Sequence, residues 1–275
     1  MYYIFTDDCN MCSVYNYEAY ISYEFQECKT GLNIINKTGE FIIHDVVIYF
    51  NLCYIRMALT LNDDTELNSE LHKFSSDKII LSDRYYVYNP RTIKKFNLEV
   101  NAKFISGCCE YGDVKFLEWW LKSNLPLEYD ETALTCASRK GHVNVLEWWL
   151  KSGLELKYDT WNIMNNASRR GHIHVLEWWL KSGLPLKYDE DALTYASYDG
   201  NVNVLDWWLK SNLPLKYDEW GLNFASEKGH INVLEWWLKS GLELKYDEYA
   251  LKFASNNGHI QVLEWWKNSG LLKNR

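Results

Sequence analysis

Cys9 and Cys12 form a Cys-x-x-Cys pair with Cys28 and His44 downstream, residue types that can hold zinc. A structural zinc site needs four ligands in a tetrahedron, and two close pairs would signal one. Only one pair is close here, so the set reads as ordinary reduced thiols. His142, His172, His230 and His259 form a second tempting set, each two residues or fewer from a recurring glycine. Neighbouring stacked helices lie about 8–10 Å apart, too far to share a metal at bond lengths of about 2 Å. These histidines therefore read as structural residues at a turn. Six Trp-Trp pairs could suggest an aromatic cage for a cation or a sugar, but their helical spacing assigns them to a core. No nucleophile elbow, phosphate loop, metalloprotease helix or kinase signature is present. The chain reads as non-enzymatic and without a cofactor.

The elements that carry these residues are repeats. The pairs fall at Trp119-Trp120, Trp148-Trp149, Trp178-Trp179, Trp207-Trp208, Trp236-Trp237 and Trp265-Trp266, and the steps between them are 29, 30, 29, 29 and 29 residues. A fixed period of this length is the signature of a solenoid. In the second unit Asp130 can cap a short helix that buries Leu134 and Ala137, and Gly141 ends it with a left-handed residue. A second helix follows over 143–152 with an apolar stripe of Val145, Leu146, Trp148, Trp149 and Leu150, and with Glu147 and Lys151 spaced as an ion pair. Gly153 stops it, and in two other units Asn124 and Asn212 take that place. Each unit is two antiparallel helices and a short return, and stacking is what covers their apolar faces. In the final unit Lys267 and Asn268 replace the usual Leu-Lys, as a capping repeat would require.

The array begins near Asn97, where Phe96-Asn97-Leu98-Glu99-Val100 resembles Leu125-Pro126-Leu127-Glu128-Tyr129. This gives two domains, 1–96 and 97–275. The first shows no period. Its β-branched and aromatic runs at 41–50, 54–61, 78–81 and 84–88, broken by turn residues, predict a small β-rich or mixed α/β domain that caps the first repeat. Net charge is −8, with 13 acidic and 9 basic residues before residue 97 and 24 and 20 after it. Neither part carries the basic footprint of a nucleic-acid binder. The first residues lack a basic start and an apolar core, so no signal peptide is expected, and without an apolar run of about 18 residues no membrane span is expected either. Seven irregularly spaced cysteines do not make a disulfide framework. The expectation is a monomeric intracellular, cytoplasmic protein.

The units resemble ankyrin repeats. Thr132-Ala133-Leu134-Thr135-Cys136-Ala137-Ser138 matches the first half of that family's pattern, and Gly141-His142-Val143-Asn144-Val145-Leu146-Glu147-Trp148-Trp149-Leu150 the second. The resemblance covers 97–275. The Trp-Trp pairs and short period are most similar to ankyrin-repeat proteins of giant DNA viruses of the mimivirus type, which would place the chain in a host cytoplasm. The resemblance implies a mainly α, ankyrin-type α-solenoid of about six helix-pair repeats and a scaffold that binds proteins. From Asn124 to Thr132 is 8 positions, where the family has more, so the hairpins are shortened and only the first-helix face is left to grip a partner.

Comparison among the units separates scaffold from variable positions. The position of Thr132 becomes Asn162, Asp191, Trp220 and Tyr249. That of Thr135 becomes Asn165, Thr194, Asn223 and Lys252. That of Cys136 becomes Asn166, Tyr195, Phe224 and Phe253, and the pair Arg139-Lys140 becomes Arg169-Arg170, Tyr198-Asp199, Glu227-Lys228 and Asn256-Asn257. Interfaces favour Tyr, Trp and Arg as anchors. The candidate partner-binding residues are Arg139, Lys140, Arg169, Arg170, Tyr195, Trp220, Phe224 and Tyr249, with the arginine and lysine side chains as a small basic patch on adjacent units. The functional expectation is a protein–protein interaction module. The alternative is an adaptor whose N-terminal domain recruits host machinery such as a ubiquitin ligase while the repeats select the target.

Overall fold

The structure is a computed structural model. It describes residues 83–274 throughout and, before them, residues 2–6, 26–27, 33–35, 39–42, 54–60, 66–68, 73–76 and 79–81. Cys9, Cys12, Cys28 and His44 lie outside the described residues. Residues 1–133 and residues 134–275 form two compact units.

In the first unit the described strands are β1 (Tyr2–Thr6), β2 (Gln26–Glu27), β3 (Asn33–Ile35), β4 (Gly39–Ile42), β5 (Tyr54–Thr60), β6 (Glu66–Asn68), β7 (Lys73–Ser76), β8 (Ile79–Leu81) and β9 (Tyr85–Tyr86). β5 pairs antiparallel with β1, β8 and β9, β3 with β2 and β8, and β7 with β4 and β6. Of the strand expected over 41–50, Phe41 and Ile42 belong to β4 and the remainder lies outside the described residues. The chain then enters α1 (Pro90–Phe96), α2 (Ala102–Tyr111) and α3 (Val114–Lys122). Asn89 accepts the Arg91 N–H and Pro90 takes the first helical position, where its missing N–H costs nothing. Buried Tyr88 lies edge-on to Phe104 at 5.0 Å and to Phe116 at 5.9 Å. Gly107 makes room for it, because a methyl group there would collide with the Tyr88 hydroxyl.

The remaining helices come in pairs: α4 (Thr132–Lys140) with α5 (Val143–Lys151), α6 (Asn162–Arg169) with α7 (Ile173–Lys181), α8 (Asp191–Tyr198) with α9 (Val202–Lys210), α10 (Trp220–Lys228) with α11 (Ile231–Lys239), and α12 (Glu248–Asn256) with α13 (Ile260–Asn268). A short 3₁₀ turn, Leu271–Asn274, follows. Each first helix is announced by the aspartate of a Tyr-Asp step. Asp159, Asp189, Asp218 and Asp247 accept the backbone N–H two residues on at 3.0–3.2 Å, which closes a turn into the helix. A glycine with φ between +70° and +83° follows each first helix in this unit, reversing the chain in two residues. Each second helix ends at a serine whose hydroxyl donates to the carbonyl of the second Trp and accepts the N–H two residues on, as Ser182 does at 2.7 and 3.2 Å. Asn212 takes the left-handed stop expected of it, with φ +59°. Asn124 does not, because Ser123 already turns extended at φ −79°, ψ 162°.

Within the second unit the helix pairs are joined by a repeated set of polar links around a buried ring. Trp149, Trp179, Trp208, Trp237 and Trp266 are 0–2% exposed. Burying an indole removes about 150–250 Å² from water, roughly 4–6 kcal/mol gross before the entropy cost. Its one polar atom is satisfied by the preceding pair: the N–H groups of Trp179, Trp208, Trp237 and Trp266 donate to the hydroxyls of Ser138, Ser168, Ser197 and Ser226 at 2.9–3.0 Å. The Tyr of each Tyr-Asp step packs on the same indole, as Tyr188 does on Trp208 at 4.7 Å. The hydroxyls of Tyr158, Tyr188 and Tyr246 then donate to the carbonyls of Pro185, Pro214 and Leu271.

The turn histidines are structural, as expected. His172, His230 and His259 donate from Nε2 to the carbonyls of Arg139, Tyr198 and Glu227 at 2.8–3.0 Å, and Asn201 does the same to Arg169 at 2.7 Å. Each thereby covers a carbonyl that the preceding first helix leaves unpaired.

Three sequence expectations need correction. The paired tryptophans are not all core: Trp178 and Trp179 are both buried, but Trp148, Trp207, Trp236 and Trp265 are half-buried at the edge of the second helices. Trp178, Trp236 and Trp265 give their N–H to the carboxylates of Glu147, Asp206 and Glu235 one pair earlier. Leu150 and Leu238 are 40% and 38% exposed, so they are not part of the buried stripe. The position of Thr135 is not free to read a partner. Asn165, Thr194 and Asn223 are buried and donate to Asp189, Asp218 and Asp247 of the following pair. Lys267 stands where inner units carry leucines that are half-buried or, at Leu150 and Leu238, exposed, whereas Lys252 stands exposed where the inner donors Asn165, Thr194 and Asn223 are buried.

Three predictions follow from these links. Ser138→Ala strands a buried indole N–H and should cost about 1–3 kcal/mol in urea unfolding; adding Trp179→Phe, which removes that N–H, should cost less than the sum of the two single changes. Gly229→Ala and Gly258→Ala both force a left-handed alanine, about 1–2 kcal/mol. At Gly229 the new methyl would also stand 3.0–3.1 Å from the His259 ring, while at Gly258 it meets nothing within 4 Å, so Gly229→Ala should lower Tm further. Burial lowers the His172 pKa, with help from His174, Arg170 and His142, against the Arg139 hydrogen bond that raises it. The neutral ring is the folded form, so its contribution is complete above the unfolded value near about 6.5 and is lost as pH falls through the lower folded value. His172→Asn, which copies Asn201, should therefore flatten the fall in urea midpoint between about pH 7.5 and pH 5.5.

Candidate partner-binding face

The first helices α4, α6, α8, α10 and α12 each have one face sealed into the stack. On α10 the sealed residues are Gly221, Leu222, Asn223, Ala225 and Ser226. Gly221 has to be small, since a methyl there would stand 3.0 Å from the Trp237 ring. Helical geometry then sends Trp220, Phe224, Glu227 and Lys228 to the other side. The same spacing on α8 presents Asp191, Tyr195, Tyr198 and Asp199, and on α12 Tyr249, Phe253, Asn256 and Asn257.

Four of these rings form one cluster. The Trp220 ring lies 5.0 Å from Phe224, 6.1 Å from Tyr249 and 6.4 Å from Phe253, the last two nearly parallel at 22° and 25°. Tyr249 is 5.4 Å from Phe253 and is 39% exposed, and the other three are half-buried. Tyr198 joins the cluster edge-on to Phe224 at 5.5 Å.

Charge is sorted along α4 and α6 and mixed at the C-terminal ends of α8 and α10, where Asp199 and Glu227 stand beside Arg169 and Lys228. Arg139, Lys140, Arg169, Arg170 and Lys228 stand at the C-terminal ends, where cations also favour the helix dipole. Arg169 pairs with Asp199 at 3.4 Å and lies over the rings of Tyr195 at 5.4 Å and Tyr198 at 5.9 Å. Lys228 sits 4.5 Å over Tyr198, and Tyr198 followed by Glu227 holds its pKa above the usual lysine value. The N-terminal ends are acidic, with Glu190, Asp191, Glu219 and Glu248. Burial raises the pKa of Asp191, and Asp189, Glu190 and Asp218 add to it. Burial likewise raises Asp218, reinforced by Glu219 and Glu190 and opposed by the hydrogen bonds from Trp220 and Thr194.

Of the expected residues, Trp220, Phe224 and Tyr249 come together, Tyr195 stands with Arg169, and Arg139, Lys140 and Arg170 lie at the basic end without joining the aromatic cluster. Phe253 and Tyr198 were not among the expected anchors although both stand at varying positions. Trp161, 46% exposed just before α6 with Lys187 over its ring at 5.7 Å, was missed as well; it stands where four other units carry glutamate. Among the described residues no group of three or more His, Cys, Asp or Glu could hold a metal, and no helix is long and apolar enough to cross a membrane.

No family model matches the chain, and no curated protein matches it. Among solved structures it is similar to the human ASB11 ankyrin repeat domain, with a TM-score of 0.50 and 14% identity, over 62% of this chain and 85% of that one. The likeness is one of fold: the helix pairs of this chain stack in the ankyrin-repeat manner, and the protein is mainly helical.

Proposed function

We propose that the chain is a non-catalytic protein–protein interaction module that grips a protein partner with its first-helix face. The observation that carries this reading is the gathering of Trp220, Phe224, Tyr249 and Phe253 at the surface of helices whose opposite faces are sealed. The scaffold spends its invariant polar groups on neighbouring pairs, while the groups that vary from unit to unit and are not spent inside lie on this one side. Trp, Tyr and Arg are the residues that most often dominate binding energy at an interface. Residues 1–96 serve on this reading as the cap of the first repeat, through Tyr88 against α2 and α3, and the module works as a monomer inside the cell. The short period and the Trp-Trp pairs support a kinship with the repeat proteins of mimivirus-type viruses.

The test is capture from cell lysate with the full chain, read by mass spectrometry. Tyr249→Ala should lose the specific partner by about 2 kcal/mol, roughly thirtyfold in affinity. Lys181→Ala on the opposite helix row, which breaks only its exposed pair with Glu177, should retain it. Retention of the same partners at full yield by both Tyr249→Ala and Phe224→Ala would refute the reading.

A further inference from the structure

The face is polar along the stack as well as across it. Its basic end lies on α4 and α6, with Arg139, Lys140, Arg169 and Arg170, and its aromatic end on α10 and α12, with Trp220, Phe224, Tyr249 and Phe253. Between them α8 supplies Tyr195 and Tyr198, which the Arg169 guanidinium covers. Resting on the binding role given to this face above, we propose that its occupant is an extended protein segment with an acidic cluster at one end and an aromatic or large apolar anchor at the other.

The charge sorting fixes the track of that segment. The acidic N-terminal ends, carrying Glu190, Asp191, Glu219 and Glu248, repel an anionic chain, and the cations at the C-terminal ends of α4 and α6 attract it, whereas at the ends of α8 and α10 Asp199 and Glu227 stand paired with Arg169 and Lys228. The acidic end of the segment is thereby held at the C-terminal ends of α4 and α6, and the rest of it runs over Tyr195, Tyr198 and Phe224 towards the aromatic cluster. The positive field at the basic end is felt by a neighbour, since Arg170 helps to depress His172. The chain as a whole has a net charge of −8, so attraction of an acidic partner depends on this local patch and is steeply sensitive to salt.

The spacing is set by the stack. Neighbouring helices stand about 8–10 Å apart, so Arg170 on α6 is roughly 16–30 Å from the rings on α10 and α12. An extended chain advances about 3.3 Å per residue. Roughly five to nine residues therefore separate the acidic cluster from the anchor.

The experiment titrates the full chain into a fluorescein-labelled peptide, Asp-Asp-Glu followed by a Gly-Ser spacer of about six residues and Trp-Leu, and reads anisotropy. A second peptide has the same composition with acidic and apolar residues alternating. A third probe is a short oligothymidylate, since stacked rings beside cations also suit a single nucleic-acid strand. Binding of the first peptide at least about tenfold tighter than either other probe is expected. That affinity should fall with raised salt and with Arg170→Glu, and separately with Tyr249→Ser, whose ring is exposed enough for the fold to survive its loss. Equal binding of the ordered and alternating peptides overturns the proposal. So does indifference to Arg170→Glu, tighter binding of the oligonucleotide, or no binding of any probe. In each of those cases the interaction role itself still stands if the lysate partner is lost on Tyr249→Ala, and falls with it if that partner is retained.

Discussion

Everything in the second unit depends on a single contact made four times: an indole N–H at the bottom of one helix pair meeting a serine hydroxyl on the pair before it, at 2.9–3.0 Å. Tryptophan offers the largest apolar surface of any side chain and a donor that cannot be left dry. Placing it in the interior therefore imposes a partner at a fixed depth. Serine is small enough to sit under the ring on a first helix and still accept. The alanine before it, Ala137, Ala167, Ala196 and Ala225, is fully buried in each of these units and leaves no room for a larger neighbour. The remaining links, from tyrosine, histidine and the asparagine or threonine donors, are consequences of the distance this contact sets.

Apart from the side-chain oxygens of Asn165 and Asn223, which are buried without a hydrogen-bond partner, the stack has little chemistry left over inside it. Polar groups at the junctions are spent on neighbours, and the half-buried first tryptophan of a pair is held by a carboxylate that also holds a lysine four residues on, as Glu235 does with Trp265 and Lys239. Those exposed ion pairs contribute little by themselves. Their effect is to keep the carboxylate aimed at the indole, as the lowered pKa of Glu147 and Glu235 reflects: hydrogen bonds from the lysine first, then from the tryptophan. The one place where side chains are neither sealed nor repeated is the outward side of the first helices.

Much of this is legible in the residues alone. The period, the helix pairs, the glycine reversals and the structural histidines can be read from spacing and composition, because each is a local requirement of backbone geometry or reach. What could not be read is which side of a helix a variable residue takes. Asn165, Thr194 and Asn223 differ in name but share a donor, so a position that tolerates either looks free when it is bound to the next aspartate. Likewise Trp-Trp reads as two core residues, although adjacent positions on a helix point about 100° apart, so the first ring is half-buried in four of the five pairs of the second unit and buried with the second only at Trp178. Asn124 was misjudged for a similar reason: a residue type that permits a left-handed stop does not compel one when the preceding serine has already turned the chain. Residues 1–96 carry no period, so no comparison among units could sharpen their reading.

The reach of each inner tryptophan, 40 or 41 residues back along the chain, is the same at every junction. The junctions are therefore interchangeable, and one whole unit can be excised without leaving a misfit. Removal of 172–200 would set α9 beside α6, and Trp208 would find Ser138 where it had found Ser168. The fold would close over the gap, but Trp220 would stand one unit nearer to Arg139 and Lys140. A duplication would move them apart by the same step. Slippage during copying of such a gene thus works as a ruler: it alters the distance between one surface feature and another in whole increments before a single residue of the surface has mutated.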